Sequence, residues 1–433
     1  ASGDSIALAS GASQTGFGRT GTVDWQTGDI KTATFTAVSG KGYFCNTTGG
    51  SFEVDLPAGS AGDIVSVQDY NNTFDDNSLT IDPNGSEKIN GGIAGGTVSL
   101  STEGEGLTLV YIDSTVGWRS VQDNEFADAA TNFIVATGGT ITTSGDCKVH
   151  TFTGPGTFCV ASSGNPTNAV VSYLVVAGGG GGGAANHGAG AGAGGFREYK
   201  SPVTPYTASP LDGNPGGTSV SVSATAFPIT VGAGGTGGAP PGNTGGKGSC
   251  SVFSTITSAG GGNAGVGSPT SPLAPQANGG SGGGSRSTCG ASYAGTGNTP
   301  PVSPAQGTNG GTTPGSANAP AYGSAGGGGA TAVGGNGGPS AAGAGGAGAT
   351  TSITASPVSY AGGGGGSQFH PTGGAGGAGG TGGGGAGGRR SGSNAVAGTV
   401  NTGGGGGGAE RCTPSGNGGA GGSGIVIIRY KFQ

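Results

Sequence analysis

The glycines are crowded into one part of the chain. Of 110 glycines in 433 residues, 84 fall between 178 and 433. They form runs with interspersed Ala, Ser or Thr at 178–183, 279–284, 362–366, 373–388 and 403–408. Glycine is the worst helix-interior residue after proline, and it loses the most backbone freedom on ordering. A helical bundle, a doubly wound α/β enzyme and a coiled coil are therefore excluded. No strict Gly-X-Y period with abundant proline runs throughout, so collagen is excluded too. A flexible linker also fits poorly, because the runs end repeatedly in β-rich segments. The chain closes on Ile425–Ile428, an apolar strand that requires a partner.

One arrangement offsets the entropy of ordering so much glycine. Side-chain-free segments can adopt an extended three-residue helix, rising about 3.1 Å per residue with no internal hydrogen bonds. Such helices pack closely, and their backbone groups then bond between neighbours, as buried N–H and C=O groups require. The spacing predicts a bundle of polyglycine II helices with loops at both ends. The run 373–388 taken as one helix spans roughly 50 Å.

The intervening segments fall into two alternating classes. Residues 170–177, 196–231, 250–259, 350–361 and 394–402, with the C-terminal 425–432, are β-like. Residues 184–187, 239–244, 268–278, 367–372 and 409–417 are irregular. Alternation is what up-and-down segments require, so the irregular loops belong to the end away from the strands. By this count Arg389-Arg390 falls at the β-like end. The count is lost between 285 and 349, where Cys289 and Tyr293 lie.

The first 177 residues read as strands. Apolar runs recur at 30–38, 52–56, 64–70, 79–81, 97–100 and 107–112, several of them alternating with polar residues. Asp82-Pro83-Asn84-Gly85 is a turn signal. Trp118 closes the last run and reads as core packing, with a sugar-stacking platform as the alternative. A second block contains 148–153, 157–160 and 170–176. The organisation expected is a β-rich fibre or shaft domain over 1–125, a β-hairpin connector over 126–177 and a glycine-rich polyglycine II tip domain over 178–433. The fold class expected is all-β followed by a polyglycine II helix bundle, with essentially no α-helix.

Chemistry-bearing motifs are scarce. Matches to G-x-G-x-x-G are inevitable at this glycine content, and no helix is available to make them a dinucleotide site. The lysines of Gly246-Lys247-Gly248 and Gly40-Lys41-Gly42 lack the Ser or Thr of a phosphate-binding loop. His150, His187 and His370 have no nucleophile-elbow context. Asp75, Asp76 and Asp82 do not follow a calcium-loop spacing, and a solvated acidic turn explains them. None of the six cysteines forms a C-x-x-C pair; a Cys147–Cys159 disulfide and free thiols both remain open. The expectation is a protein that is not an enzyme and has no cofactor or metal. A net charge of -6 argues against nucleic acid, and no apolar run is long enough for membrane insertion.

Tyr173-Leu174-Val175-Val176-Ala177 followed by glycines, and Gly424-Ile425-Val426-Ile427-Ile428-Arg429-Tyr430, resemble the start and end of glycine-rich domains at bacteriophage tail-fibre tips. Gly42-Tyr43-Phe44 and Val116-Gly117-Trp118 resemble virion fibre proteins of marine phages. The resemblance implies a receptor-binding adhesin on a virion tail fibre. Its partners would be a bacterial cell-surface receptor, either an outer-membrane protein or a polysaccharide, together with other fibre or baseplate proteins. It also implies a homotrimer for the β-rich shaft. Recognition then falls to the distal loops, since the flank of a glycine bundle carries little side-chain information. The candidate receptor-binding residues are His187, Leu273, Gln276, Gln368, Phe369, His370, Glu410 and Arg411. A structural virion decoration protein and an ice-binding polyglycine II protein are the alternatives.

Overall fold

The computed structural model describes residues 23–121, 133–164, 168–184, 187–216, 218–240, 244–265, 274–287, 293–314, 322–369, 375–390, 394–410 and 416–432. It is all-β, apart from a single 3-10 turn over Ala274–Ala277 among the described residues. The chain divides into two compact units, Ala1–Asn132 and Phe133–Gln433.

In the first unit the chain shuttles between two sheets. Strands β1 (Asp24–Trp25), β3 (Lys41–Cys45) and β5 (Ile64–Asp69) run parallel in one sheet. The other sheet holds β2 (Phe35–Thr36), β4 (Phe52–Asp55) and β6 (Leu79–Asp82), also parallel. Antiparallel strands finish each sheet: β7 (Val98–Leu100) on β6, and β8 (Gly106–Asp113) with β9 (Gly117–Ser120) on β5. Alternation along each strand sends Val54, Val65, Val67, Leu79, Ile81, Leu107 and Leu109 into one core. Trp118 belongs to that core, with no exposure, and its Nε1 donates to Glu87 Oε2 at 3.0 Å. Packing, not sugar stacking, is its role. The run expected at 30–38 is mostly irregular: only Phe35–Thr36 forms a strand, while Lys31 makes a single bridge to Cys45.

The second unit begins with strands and returns to them at its end. One sheet orders β10 (Ile134–Thr137), β13 (Gly156–Ser163), β17 (Ala226–Thr230), β18 (Ser251–Phe253) and β19 (Ile256–Ser258). The other orders β11 (Thr140–Ser144), β12 (Cys147–Phe152), β22 (Ile425–Lys431), β14 (Val170–Val176) and β15 (Phe196–Tyr199), with β16 (Val220–Ser221) pairing β14. A short hairpin, β20 (Ala349–Thr351) with β21 (Val358–Tyr360), pairs with neither sheet but packs against the second one through Ala349 and Tyr360. The C-terminal strand β22 thus slots between β12 and β14, which supplies the partner its apolar sequence requires. Alternate residues of β22 enter two different cores. Val426, Ile428 and Tyr430 join the core shared by the two sheets, and Ile425 and Ile427 join a core on the opposite face. The residues expected to form a separate connector are therefore continuous with the glycine-rich part from Phe133 onward. Cys147 is buried and Cys159 exposed, and both are free thiols.

From these sheets the chain runs out and back as extended, glycine-rich segments whose backbone groups bond chiefly to one another. Segment 177–184 shows the rule. Gly178 and Gly181 donate to Ser249 and Gly246, Gly179 and Gly182 to Gly422 and Gly419, and Gly180 and Gly183 to Gly192 and Ala189. Every third residue meets the same neighbour, as a three-residue helix in a lattice must.

Segment 187–195 has six neighbours. Its N–H groups reach 403–410 and 259–265 antiparallel and 322–330 parallel, and its carbonyls accept from 177–184, 279–287 and 361–368. Contact on all sides leaves most of its backbone no space for side chains. A Cβ placed on Gly190 would lie 2.0 Å from Gly364 O, and one on Gly192 would lie 2.2 Å from Ser281 O. Ala189, Ala191 and Ala193 are also fully buried, so methyl groups fit at those three positions.

Outer segments carry a different pattern. In 231–239 and 416–424 the sequence reads Gly-Gly-x, and x turns toward solvent: Ala233, Thr236 and Ala239, then Asn417 and Ala420. Solid glycine marks an enclosed segment, whereas Gly-Gly-x marks a segment with one row free.

The run 373–388 is not one long helix. Residues 375–381 descend toward the sheets, a turn at Thr381-Gly382-Gly383 reverses the chain, and 384–390 rise again. Gly382 and Gly383 both take φ near +90°, at 94° and 93°, a region that side chains rarely adopt. Glycine in the turn is indistinguishable by sequence from glycine in the helices on either side.

Candidate functional site: the distal end of the glycine bundle

The lattice fixes which segment ends become neighbours. The descending segments 187–195 and 322–330 begin at the end away from the sheets, and the ascending segments 279–287, 361–368, 384–390 and 403–410 finish there. Six residues widely separated in sequence meet as a result: His187, Arg286, Tyr322, Phe369, Arg390 and Glu410.

Three rings form the centre. His187 stacks on Tyr322 with centroids 5.4 Å apart and planes 28° apart. Phe369 meets both edge-on, 5.1 Å from His187 and 5.9 Å from Tyr322. The Arg390 guanidinium lies over the Phe369 ring, 4.5 Å from its centroid, in cation–π geometry. All four side chains are half-buried. His187 and Tyr322 adopt left-handed backbone conformations, with φ of 67° and 45°. Both are the first described residues of descending segments.

A buried carboxylate anchors this group. Glu410 is fully buried, and its Oε2 accepts the His187 backbone N–H at 3.2 Å and lies 3.2 Å from His187 Nδ1. Burial lowers the pKa of Arg286, and the nearby negative charge of Glu410 partly offsets that shift. Ser324 Oγ donates to the His187 carbonyl at 2.7 Å and accepts the Ser287 N–H at 3.2 Å, tying three segment ends together. The rings therefore stand on a braced polar base.

A model of the glycine-rich domain family matches residues 151–431. The chain belongs to the glycine-rich domain family. No curated protein matches the chain. The matched span of the glycine-rich domain runs from inside β12 to the end of β22, so it contains the entire lattice and most of the sheets that close it.

Of the residues singled out from sequence, the glycine-rich domain brings His187, Phe369 and Glu410 together. Glu410 acts from beneath, because it is fully buried and unable to touch a partner directly. Gln368 is at the same end but also fully buried; its backbone carbonyl accepts the Arg390 N–H and its Nε2 donates to Ser340 O at 3.2 Å. It is an internal brace, not a contact residue. Gln276 is exposed on the 3-10 turn, away from the rings, and accepts from Asn263 Nδ2 at 3.4 Å. Leu273, His370 and Arg411 lie outside the described residues.

Arg389-Arg390 require a correction. The unrecognised turn at 381–383 shifts the count by one segment, so the pair lies at the distal end, bridged to Gln368, and not at the sheet end. Arg286 and Tyr322 were missed for a related reason: both lie where the alternation could not be followed. Segments 293–298, descending, and 307–313, ascending, restore the count there. Tyr293 lies on the first of these, its hydroxyl donating to Asn278 Oδ1 at 3.0 Å. Among the described residues, no three His, Cys, Asp or Glu side chains gather as a metal site.

Proposed function

We propose that the chain is a bacteriophage tail-fibre tip adhesin that recognises a bacterial surface through the distal end of its glycine-helix bundle. The observation that carries this reading is the half-buried platform of His187, Tyr322, Phe369 and Arg390. Aromatic and arginine side chains dominate binding hot spots, since they offer large contact area with little entropy to lose. Here they are held at one end of a block whose flanks present mostly glycine, alanine and small polar groups. The resemblance at 173–177 and 424–430 to phage fibre tips supplies the biological setting. The reading assigns no catalytic residue and no cofactor. It places the chain on a virion, attached to other fibre or baseplate proteins.

The test is cell labelling. The fluorescent chain is incubated with a panel of Gram-negative marine isolates, beside a Tyr322→Ala/Phe369→Ala variant of unchanged melting temperature. Selective labelling of some strains, lost in the variant, is expected. Labelling of no strain, or labelling indifferent to the variant, refutes the reading and favours a purely structural role.

A further inference from the structure

We infer that the distal platform takes an anionic sugar: a pyranose bearing phosphate or carboxylate on a bacterial surface glycan. This rests on the adhesin reading and names the ligand class for the same site.

Charge is the first argument. Residues 178–433 carry nine basic and three acidic side chains, although the whole chain has a net charge of -6. Two of those acids, Glu198 and Asp212, lie at the sheet end, where Glu198 is on β15 and bridges Asp212. The third, Glu410, is buried against His187 and Arg286. Arg389 and Arg390 reach the same end and have no acidic partner among the described residues. The distal end therefore presents excess positive charge over a small area.

Geometry is the second argument. The Arg390 guanidinium sits over Phe369, its central carbon 4.5 Å from the ring centroid, and this contact restrains its planar fork of donors for bidentate contact with a phosphate or carboxylate. Tyr322 and Phe369 lie beside it, edge to face. An aromatic ring next to a fixed guanidinium suits a sugar with one apolar face and one anionic substituent. A lipid tail would leave the arginines unused. A long polyanion such as nucleic acid would need a basic track, and the cationic area here is confined to a few arginines on an acidic protein.

The test uses the full chain and lipopolysaccharide extracted from a strain that the chain labels. The lipopolysaccharide is immobilised in three forms: native, dephosphorylated with hydrofluoric acid, and carboxyl-reduced. The native form is expected to bind, and removal of one type of anion is expected to weaken binding at least tenfold, identifying the group. Arg390→Ala should cause a similar loss on native material and little further loss on the form that lacks the recognised anion. Arg390→Lys keeps the charge and loses the planar fork, so it should fall between the two. Equal binding to all three forms overturns the inference in favour of a neutral glycan. Cells that are labelled while native lipopolysaccharide is ignored overturn it in favour of a protein receptor and leave the adhesin reading standing. If no strain is labelled, both fail.

Discussion

Replacing one enclosed glycine by alanine should cost far more than a larger change on an outer row. Gly364 lies in the fully buried segment 361–368. A Cβ there would lie 2.1 Å from Gly406 O, 2.6 Å from Gly406 C and 3.1 Å from Ala191 N, where ordinary contact begins at 3.4 Å. The first gap must therefore open by more than an ångström. Gly406 cannot retreat freely: its carbonyl accepts from Ala191 N at 2.9 Å and its N–H donates to Gly180 O at 2.9 Å. Gly364 itself donates to Ala191 O at 2.9 Å and accepts from Gly327 N at 2.8 Å.

Breaking one or two such bonds strands buried backbone groups at about 1–3 kcal/mol each. Alanine returns about 0.4–1 kcal/mol by restricting the unfolded chain. The net loss for Gly364→Ala is about 2–5 kcal/mol, or roughly 3–8 °C in melting temperature for a unit of this size. Ala420→Leu adds more volume but points to solvent, so its effect should stay within about 0.5 kcal/mol. Differential scanning calorimetry on both variants decides the matter. Equal melting temperatures to within about 1 °C would refute the lattice, since that resolution is well inside the predicted gap.

Further expectations concern the cores. His150 is fully buried, with Nδ1 2.7 Å from Gly138 O and Nε2 3.0 Å from Tyr430 OH, and burial lowers its pKa from 6.5. The unfolded chain then takes up a proton first, so stability should fall as pH drops below 6.5; His150→Gln should flatten that slope in urea titrations at several pH values. Glu198 behaves oppositely for a carboxylate: burial raises its pKa above 4.5, so it weakens the fold as pH rises past that value, and Glu198→Gln should remove the loss. Trp118→Ala empties the largest fully buried side chain and should cost about 3–5 kcal/mol in the first unit. Calorimetry should show that transition shifted, with the transition of the second unit in place.

Much of the strand content was legible because alternation and turn residues act locally. The runs at 52–56, 64–70, 79–81, 97–100 and 107–112 emerge as β4, β5, β6, β7 and β8 with ends shifted by a residue or two. The short β2 was obscured, because two residues carry no period. The polyglycine lattice was inferred from the need to satisfy buried backbone groups, and the threefold bonding rule bears that out. Its internal turns were not legible. At Thr381-Gly382-Gly383 the residue that permits a reversal is the same residue that builds the helices. A subtler signal was available: the change from solid glycine at 403–408 to Gly-Gly-x at 416–424 reports whether a segment is enclosed. Counting by that pattern gives neighbour number, though not chain direction, so the placement of Arg390 still required the structure.

The lattice also explains why a distal site is composed as this one is. An enclosed segment has six neighbours and almost no room for side chains, so recognition chemistry cannot be housed inside the block. An outer segment frees one residue in three, and the example rows carry alanine, threonine and asparagine. Large side chains can project without displacing a neighbour's carbonyl only on such a free row or where segments end, and only at the ends do the positions of several segments converge. Because 187–195 touches 279–287, 322–330, 361–368 and 403–410 along its whole length, their ends meet at its own first residue, His187. Proximity of Arg286, Tyr322, Phe369 and Glu410 is thus a property of the backbone packing and not of the loops that join the segments. Loop exchange should therefore alter the surroundings of the platform while leaving its spacing intact. Substitutions that disturb the lattice near His187, such as Gly188→Ala with its Cβ 2.2 Å from Gly183 O, should spread the rings apart and abolish surface binding without touching a contact residue.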